Sequence, residues 1–417
     1  MRFLQSIKLN GFLSFAPDAP VVDLTPLNVL IGPNASGKSN FIEAIELLHA
    51  TPTKFAAAIQ DGGGVHEWLW KGDRRERAAT IEAVLTGEYP IPDLRYRLAF
   101  AAAGQRIEVI DEVLEETAKR YASEPDVYFY YRYQAGRPVI NTCQATTTTT
   151  PPPTTTTPPP TTTTTTGPQL ANTRAFRQLT RDSLVPDESV LSQRKDPELY
   201  PELTWLGRRF DGIQTFREWS FGRYAAVRQP QSAGMQADVL LPDSRNLGLI
   251  LNELEHSDAN SEFNRVMTRF LPRYERFSTR IHGGTVQLYL HESGLGPVPA
   301  TRLSDGTIRV MAMLALLLSP SPRPLICMEE PELGLHPDAV TLLADLLVSA
   351  SQRTQVIVTT HSDALVSALS DHASSVLVCE HRGGTQLDRV DPDELEHWMA
   401  KYRLGEIWRI GELGGNP

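Results

Sequence analysis

The sequence predicts an α/β fold organised on a phosphate-binding loop, with an antiparallel β subdomain and a mostly helical insertion. Three observations predict it. The run Val29-Leu30-Ile31-Gly32-Pro33-Asn34-Ala35-Ser36-Gly37-Lys38-Ser39-Asn40 is an apolar strand that turns through glycines into a helix. A second apolar run, Leu325-Ile326-Cys327-Met328, ends in the adjacent carboxylates Glu329 and Glu330. Elsewhere, strand-like alternation before residue 116 gives way to apolar residues at helical spacing after residue 176.

The first run has the spacing G-x-x-x-x-G-K-[ST] in its required context of strand, loop and helix. Gly32, Pro33, Asn34, Ala35, Ser36 and Gly37 supply backbone N–H groups that cradle phosphates, Lys38 reaches the β and γ oxygens, and Ser39 ligates Mg²⁺. Asn40, the next residue, completes the binding set. The helix adds the positive end of its dipole. Phe41, Ile42, Ile45 and Leu48 recur at helical spacing, and Pro52 ends the segment.

Upstream, the short apolar runs Phe3-Leu4, Ile7-Lys8-Leu9 and Val21-Val22-Asp23-Leu24 are separated by Asn10-Gly11 and by prolines, the pattern of antiparallel strands leading into the loop. Downstream come Asp61-Gly62-Gly63-Gly64, Trp68-Leu69-Trp70 and the charged turn Gly72-Asp73-Arg74-Arg75-Glu76-Arg77. Alternating segments at 79–85, 95–101 and 106–113 predict a meander covering the nucleotide-binding unit. Val127-Tyr128-Phe129-Tyr130-Tyr131 is one further aromatic strand candidate.

Residues 146–166 contain only Thr and Pro. Such a tract cannot bury apolar surface and its prolines favour extended conformers, so it reads as a flexible linker, with a binding arm as the alternative. Helices are predicted at 200–210, 246–255 and 261–270; Leu247, Ile250, Leu251 and Leu254 make an apolar stripe in the second. Arg265, Arg269, Arg273 and Arg276 would share one side of a helix if it continued through Pro272. Two readings stand for them: a phosphate-backbone or partner contact, and a solvated face paired with Glu262 and Glu275. The chain thus divides into 1–116, the first part of the nucleotide-binding unit; 117–280, an insertion with the disordered 146–166 linker and a helical subdomain; and 281–417, the returning part of the unit.

Composition bounds the setting. The 417-residue chain carries a net charge of −10, so any nucleic-acid contact must be a local patch. The N-terminus lacks an apolar signal segment, and the longest greasy run, 310–318, is too short to span a bilayer, which predicts a cytoplasmic protein with no membrane contact. Of three cysteines, Cys327 and Cys379 sit in apolar strand-like runs and Cys143 borders the Thr/Pro tract; no metal-ligand spacing links them.

The second half of the site follows residue 300. Leu303-Ser304-Asp305-Gly306-Thr307 precedes a strongly apolar helix at 308–318. The strand at 325–328 delivers Glu329 to a metal and Glu330 as the general base that polarises the attacking water. The strand Val356-Ile357-Val358-Thr359-Thr360 then carries His361 beside the γ-phosphate; by itself such a histidine is more often structural, but among these motifs it reads as a phosphate sensor. Lys38, Glu330 and His361 are the catalytic candidates.

The order of the motifs at Gly32 to Ser39, Leu303 to Thr307, Leu325 to Pro331 and Thr360-His361 resembles the ABC-type ATPase heads of the RecF, SMC/Rad50 and OLD group. Within it, Glu329-Glu330-Pro331-Glu332-Leu333-Gly334-Leu335-His336-Pro337 is similar to small bacterial AAA-like ATPases of anti-phage and DNA-damage systems. The resemblance implies ATP and Mg²⁺ as ligands and a homodimer or higher homo-oligomer. Ser304 and Gly306 would be the signature loop that contacts the γ-phosphate held by a second subunit. Ser304 can also cap the following helix, turning N–H groups toward an anion. Thr307, Glu329 and His336 depart from the usual Gln or Glu, Asp and Asp of such heads, and no Q-loop glutamine is assigned; Gln60 lies only in the right general region.

Most of the chain separates Lys38 from Ser304, unlike a compact transporter subunit, and no heptad run fills the gap as in SMC or Rad50. OLD nucleases continue into a Toprim domain, and no second acidic cluster follows His361 here. The main expectation is an ATP-hydrolysing dimerisation switch acting on a separately encoded effector, such as a nuclease in phage defence. A DNA-repair clamp and a non-hydrolysing, nucleotide-stabilised scaffold are the alternatives, with DNA as the partner of the clamp.

Overall fold

The computed structural model describes residues 2–72, 78–134, 136–144 and 173–414. The Thr/Pro tract at 146–166 and residues 73–77 of the charged turn lie outside them. The chain opens with β1 (Leu4–Asn10), β2 (Val22–Asp23) and β3 (Leu27–Ile31), then α1 (Lys38–Ala50) and the short helices α2 (Phe55–Asp61) and α3 (Val65–Trp68). The meander follows as β4 (Ala78–Leu85), β5 (Leu94–Ala103) and β6 (Arg106–Glu116), and the sheet continues through β7 (Phe129–Gln134), β8 (Arg137–Gln144) and β9 (Thr173–Gln178). Alternation in β4 puts Ala79, Ile81, Ala83 and Leu85 inward, as its sequence predicts. The eight strands run antiparallel in the order β2-β1-β4-β5-β6-β7-β8-β9. A bulge where β6 meets β7, between Leu114 and Glu115, accounts for Tyr130 and Tyr131 both being buried although they are neighbours on one strand.

Chain 190–299 holds α4 (Val190–Gln193), α5 (Pro201–Asp211), β10 (Gln214–Phe216), β11 (Gln231–Ser232), α6 (Leu247–Glu255), α7 (Ala259–Phe270), β12 (Tyr274–His282), β13 (Thr285–Glu292) and β14 (Val298–Pro299). The three predicted helices are present, yet the segment is not purely helical. β11 to β14 form a small antiparallel sheet, and β10 leaves the insertion to join the central sheet. Pro272 ends the basic stripe that the sequence allowed: α7 stops at Phe270, so Arg273 and Arg276 belong to the approach and start of β12 and share no helix face with Arg265 and Arg269. Arg265 pairs with Glu262 at 2.6 Å, Arg269 lies 3.7 Å from Asp345, and Arg273 lies 3.4 Å from Glu292.

The remainder comprises α8 (Asp305–Leu317), β15 (Leu325–Glu329), α9 (Pro337–Ser351), β16 (Gln355–Thr359), α10 (Asp363–Ala368), β17 (Val376–His381), β18 (Thr385–Arg389), α11 (Glu396–Met399) and α12 (Leu404–Arg409). Residues 391–401 hold only the single helical turn of α11. A six-stranded sheet ordered β10-β15-β16-β3-β17-β18 is parallel apart from β18, which returns from β17 as a hairpin. Both faces are covered, which is why its strands read as continuous apolar runs. Val29, Met328 and Val358 point into the core containing α8 and α9; Leu30, Cys327 and Ile357 point into the core shared with α1 and the antiparallel sheet. α8, apolar on every side, lies buried through its middle. Cys143, Cys327 and Cys379 are free and buried.

One buried carboxyl ties the antiparallel sheet to the insertion. Glu112 of β6, 2% exposed, accepts from the Tyr96 hydroxyl at 2.8 Å and the Ser189 hydroxyl at 2.5 Å, and from the Val190 N–H at 2.9 Å, at the start of α4. Burial pushes its carboxyl up to about 7.

Candidate nucleotide site

Parallel register assembles the site. Glu329 pairs with Thr359, and Thr359 with Leu30, so β15, β16 and β3 end in one row and release Glu330, Thr360-His361 and the phosphate loop at one edge. On the outer flank Phe216 of β10 pairs with Met328, which brings Arg217 beside Glu329. Ligands of open α/β sheets bind beyond such carboxyl ends.

The phosphate loop is held from behind by the β17–β18 hairpin. The Thr385 hydroxyl and the Cys379 thiol meet the Ser36 carbonyl at 2.9 and 3.2 Å, and the Thr385 N–H donates to the Ser14 carbonyl at 2.8 Å. Asn40 turns its amide to the Ser14 hydroxyl at 2.7 Å, bracing the loop from the first turn of α1. Glycine is required at both ends: at Gly32 (φ 144°) a Cβ would come 2.2 Å from the Cys379 carbonyl oxygen, and at Gly37 (φ 107°) 2.0 Å from the Thr385 hydroxyl. Ala35 keeps a left-handed φ of 62° between them. α1 starts without a side-chain cap or an acidic residue in its first turn, leaving its N–H groups for an anion. Lys38, 7% exposed, donates to the carbonyls of Gly32 at 2.7 Å and Pro33 at 2.9 Å. Burial lowers its pKa, opposed by Cys379, Glu330 and Glu329.

Around the loop stand the carboxylates. Burial raises the pKa of Glu329; Arg217 opposes this, and the Ser39 hydroxyl also lowers it. The buried Glu329 Oε1 sits 3.3 Å from Arg217 Nε without hydrogen-bond geometry, and the backbone carbonyl of Glu329 accepts from the Trp219 indole at 3.2 Å. Arg217 also spans Glu43 and Glu46 of α1, at 3.1 Å each. Glu330 adopts a positive φ of 44°, a conformation ordinarily left to glycine, while its N–H donates to the Thr359 carbonyl at 2.9 Å. Its Oε1 lies 3.7 Å from His361 Nε2. Burial lowers the His361 pKa, Lys38 lowers it further and Glu330 opposes both.

A set of Ser39 with Glu329 fits a magnesium ion: a hydroxyl faces a carboxylate that retains a buried oxygen without a hydrogen bond. Among the described residues no group of three or more His, Cys, Asp or Glu could hold a metal, so this pair would rely on phosphate oxygens to complete the sphere. A bound ion would supply charge neutralisation at the β and γ phosphates.

Ser304 precedes α8, and Gly306 lies in its first turn. The Ser304 hydroxyl caps it, accepting from the Thr307 N–H at 3.1 Å, and the Thr307 hydroxyl answers it at 2.8 Å, which gives that residue a role where Gln or Glu is usual. Ser304 and Asp305 are exposed, and a Cβ on Gly306 would sit 3.7 Å from the Gly334 carbonyl. His336 caps α9 by accepting from the Asp338 N–H at 3.4 Å.

Sequence reading missed three residues here. Arg217 occupies the position just after the edge strand flanking β15; Gln60 lies exposed on α2 instead. Glu332, raised in pKa by burial, accepts from the Thr360 hydroxyl, whose oxygen accepts from the Ser362 N–H at 2.9 Å, so it fixes the turn carrying His361. A third carboxylate in the Glu329-Glu330-Pro331-Glu332 run was its only signal. Thr385, on a strand far along the chain, gave none.

A phosphate loop, two strand-end carboxylates and a histidine on the adjacent strand, joined to a capped signature-like helix, define a P-loop ATPase head of the ABC type found in the RecF and SMC group. The chain belongs to the family described as "AAA domain, putative AbiEii toxin, Type IV TA system", whose model matches residues 27–139 and 164–367. It is similar, at 36% identity over 81 residues, to the DNA replication and repair protein RecF of Gloeobacter violaceus; that similarity takes in 19% of this chain and 20% of the relative. The fold is shared with an SMC head solved bound to the C-winged helix domain of ScpA, at TM-score 0.57 and 13% identity, covering 94% of this chain and 99% of that one. A Pyrococcus furiosus Smc head with an extended coiled coil, bound to the C-terminal domain of ScpA, matches at TM-score 0.55 and 14% identity over 96% of this chain and 99% of that chain. No helix among the described residues is long and apolar enough to cross a membrane.

Proposed function

We propose that the chain is an ATP-hydrolysing switch in which two copies close head to tail on two ATP molecules and reopen after hydrolysis. One observation carries this reading: the same chain holds a phosphate-loop side and an exposed segment that reads as the signature side. Lys38, Ser39, Glu329, Glu330 and His361 converge at the strand ends, while Ser304 stands exposed on a capped helix. In each composite site Lys38 neutralises the β and γ phosphates, Ser39 and Glu329 hold magnesium, Glu330 orients water, and His361 senses the γ-phosphate. Ser304 and Gly306 come from the other copy. Phosphoryl transfer depends on positioning and charge stabilisation, so hydrolysis waits for closure.

Size-exclusion chromatography with light scattering on Glu330→Gln is the test. A dimer with ATP and a monomer without it are expected; a monomer in both sinks the reading. Phosphate release by the wild type that vanishes in Lys38→Ala would exclude the non-hydrolysing scaffold. We place this head beside a separately encoded effector, such as a nuclease in cytoplasmic phage defence; the family description, which names a putative toxin of a type IV TA system, supports only membership of a system with more than one component. The RecF similarity supports the rival clamp, although ion pairing of Arg265, Arg269 and Arg273 leaves less free positive charge for a phosphate backbone. Salt-sensitive duplex binding would decide for the clamp.

A further inference from the structure

Arg228 lies in a single helical turn, Ala226–Arg228, and is 3% exposed. Its guanidinium meets four backbone carbonyls and one carboxylate: Nε lies 2.7 Å from the Phe221 carbonyl and 3.1 Å from that of Gly222, Nη1 lies 3.0 Å from the Ala300 carbonyl and 2.6 Å from that of Leu303, and Nη2 donates to Asp305. Leu303 and Asp305 are the two neighbours of Ser304. The two arms of one rigid fork therefore straddle the residue at the exposed tip, and the fork is anchored at its root by Phe221 and Gly222. A planar guanidinium suits this work because its donors keep fixed directions; a lysine ammonium is a single point that cannot hold both flanks.

We infer that Arg228 is the positioning residue of the signature segment, fixing Ser304 in the orientation that a second copy's nucleotide meets. This inference rests on the composite-site reading above. The segment leading to Arg228 begins at the cis site: Arg217 and Trp219 contact Glu329, Arg309 of α8 donates to the Trp219 carbonyl at 3.3 Å, and its guanidinium lies 5.5 Å from the Phe221 ring centre. One short stretch thus touches the metal carboxylate of its own subunit and the signature offered to the partner.

The consequence is a test by mixing. Arg228→Lys and Lys38→Ala subunits are each expected to release phosphate at a tenth of the wild-type rate or less, roughly. In a heterodimer of the two, one composite site carries both defects and the other carries neither. An equal mixture should therefore recover about a quarter of the wild-type rate, since about half the dimers are mixed and each has one intact site. Lys38→Ala mixed with Ser304→Arg is the control and should recover the same. Recovery in the control but none with Arg228→Lys places Arg228 on its own subunit's site or in general folding, and overturns the inference. Full activity of Arg228→Lys alone overturns it too. Failure of the control overturns the composite site, and Arg228's role falls with it. Urea unfolding separates loss of fold from loss of positioning: Arg228→Lys gives up several of the five contacts and should unfold at a lower midpoint than wild type, yet remain folded in the assay buffer while inactive; inactivity traced to an unfolded chain overturns the inference.

Discussion

Replacing Glu112 by Gln should make the protein's stability less dependent on pH between 4.5 and 7. In the folded chain this carboxyl is buried, and its pKa rises from an ordinary 4.5 to about 7. The folded state therefore holds a proton that the unfolded state has released throughout that interval. Stability is full below the unfolded value and declines as pH rises through the folded one; about 2.5 units at ~1.4 kcal/mol each makes the loss about 3 kcal/mol. Gln cannot ionise and keeps the shape, so E112Q escapes the loss. Wild type and E112Q should have similar urea midpoints at pH 4.5, and the variant should pull ahead by up to about 3 kcal/mol at pH 8. Glu332 and Glu329, also raised by burial, contribute equally to both proteins and drop out of the comparison. A gap that stays constant with pH would refute the reasoning. So would a wild type that gains on E112Q as pH rises, because the Tyr96, Ser189 and Val190 donors would then be stabilising the anion.

Thr385→Val removes the hydroxyl that meets the Ser36 carbonyl and Ser14; two lost hydrogen bonds of about 1 kcal/mol each should weaken nucleotide binding by roughly thirtyfold, read with a fluorescent ATP analogue, and unchanged affinity would remove the hairpin from the loop's support. Glu329→Gln keeps the side chain's shape but not its charge, so the Mg²⁺ concentration supporting half-maximal ATP binding should rise about tenfold; an unaltered Mg²⁺ titration would exclude Glu329 as a metal group. Because burial and Lys38 lower the His361 pKa from its ordinary value of 6.5, any acid limb of phosphate release that disappears in His361→Gln should lie below that value. A limb above it would contradict the placement of His361 beside Lys38.

The legible parts of the site were those written at the ends of strands buried on both faces. β3, β15 and β16 each appear as a short apolar run because helices or a second sheet cover them, and the polar residue that ends each run, at the loop, at Glu329 and before His361, stands out against it. Arg217 did not stand out, since β10 is three residues long and nothing in Gln214-Thr215-Phe216 announces that it borders β15. Arg228 was hidden for a similar reason: four of its partners are backbone carbonyls, which leave no pattern in side-chain chemistry. The arginines from 265 to 276 show the converse, a periodicity in the letters that Pro272 and the start of β12 dissolve.

The position of β3 sets a timetable. Its two sheet neighbours, β16 and β17, and the hairpin that pins the phosphate loop are all encoded roughly 320 residues or more downstream. A ribosome adding ~5–20 residues per second needs on the order of tens of seconds to supply them. For that interval the loop strand leaves the ribosome with both edges unpaired and greasy, a state prone to wrong pairings. During that interval the hairpin that braces the phosphate loop is still to come. A fragment ending before residue 355 would carry the entire phosphate-loop motif without the β16 and β17 pairing and the hairpin brace that hold it in the folded chain.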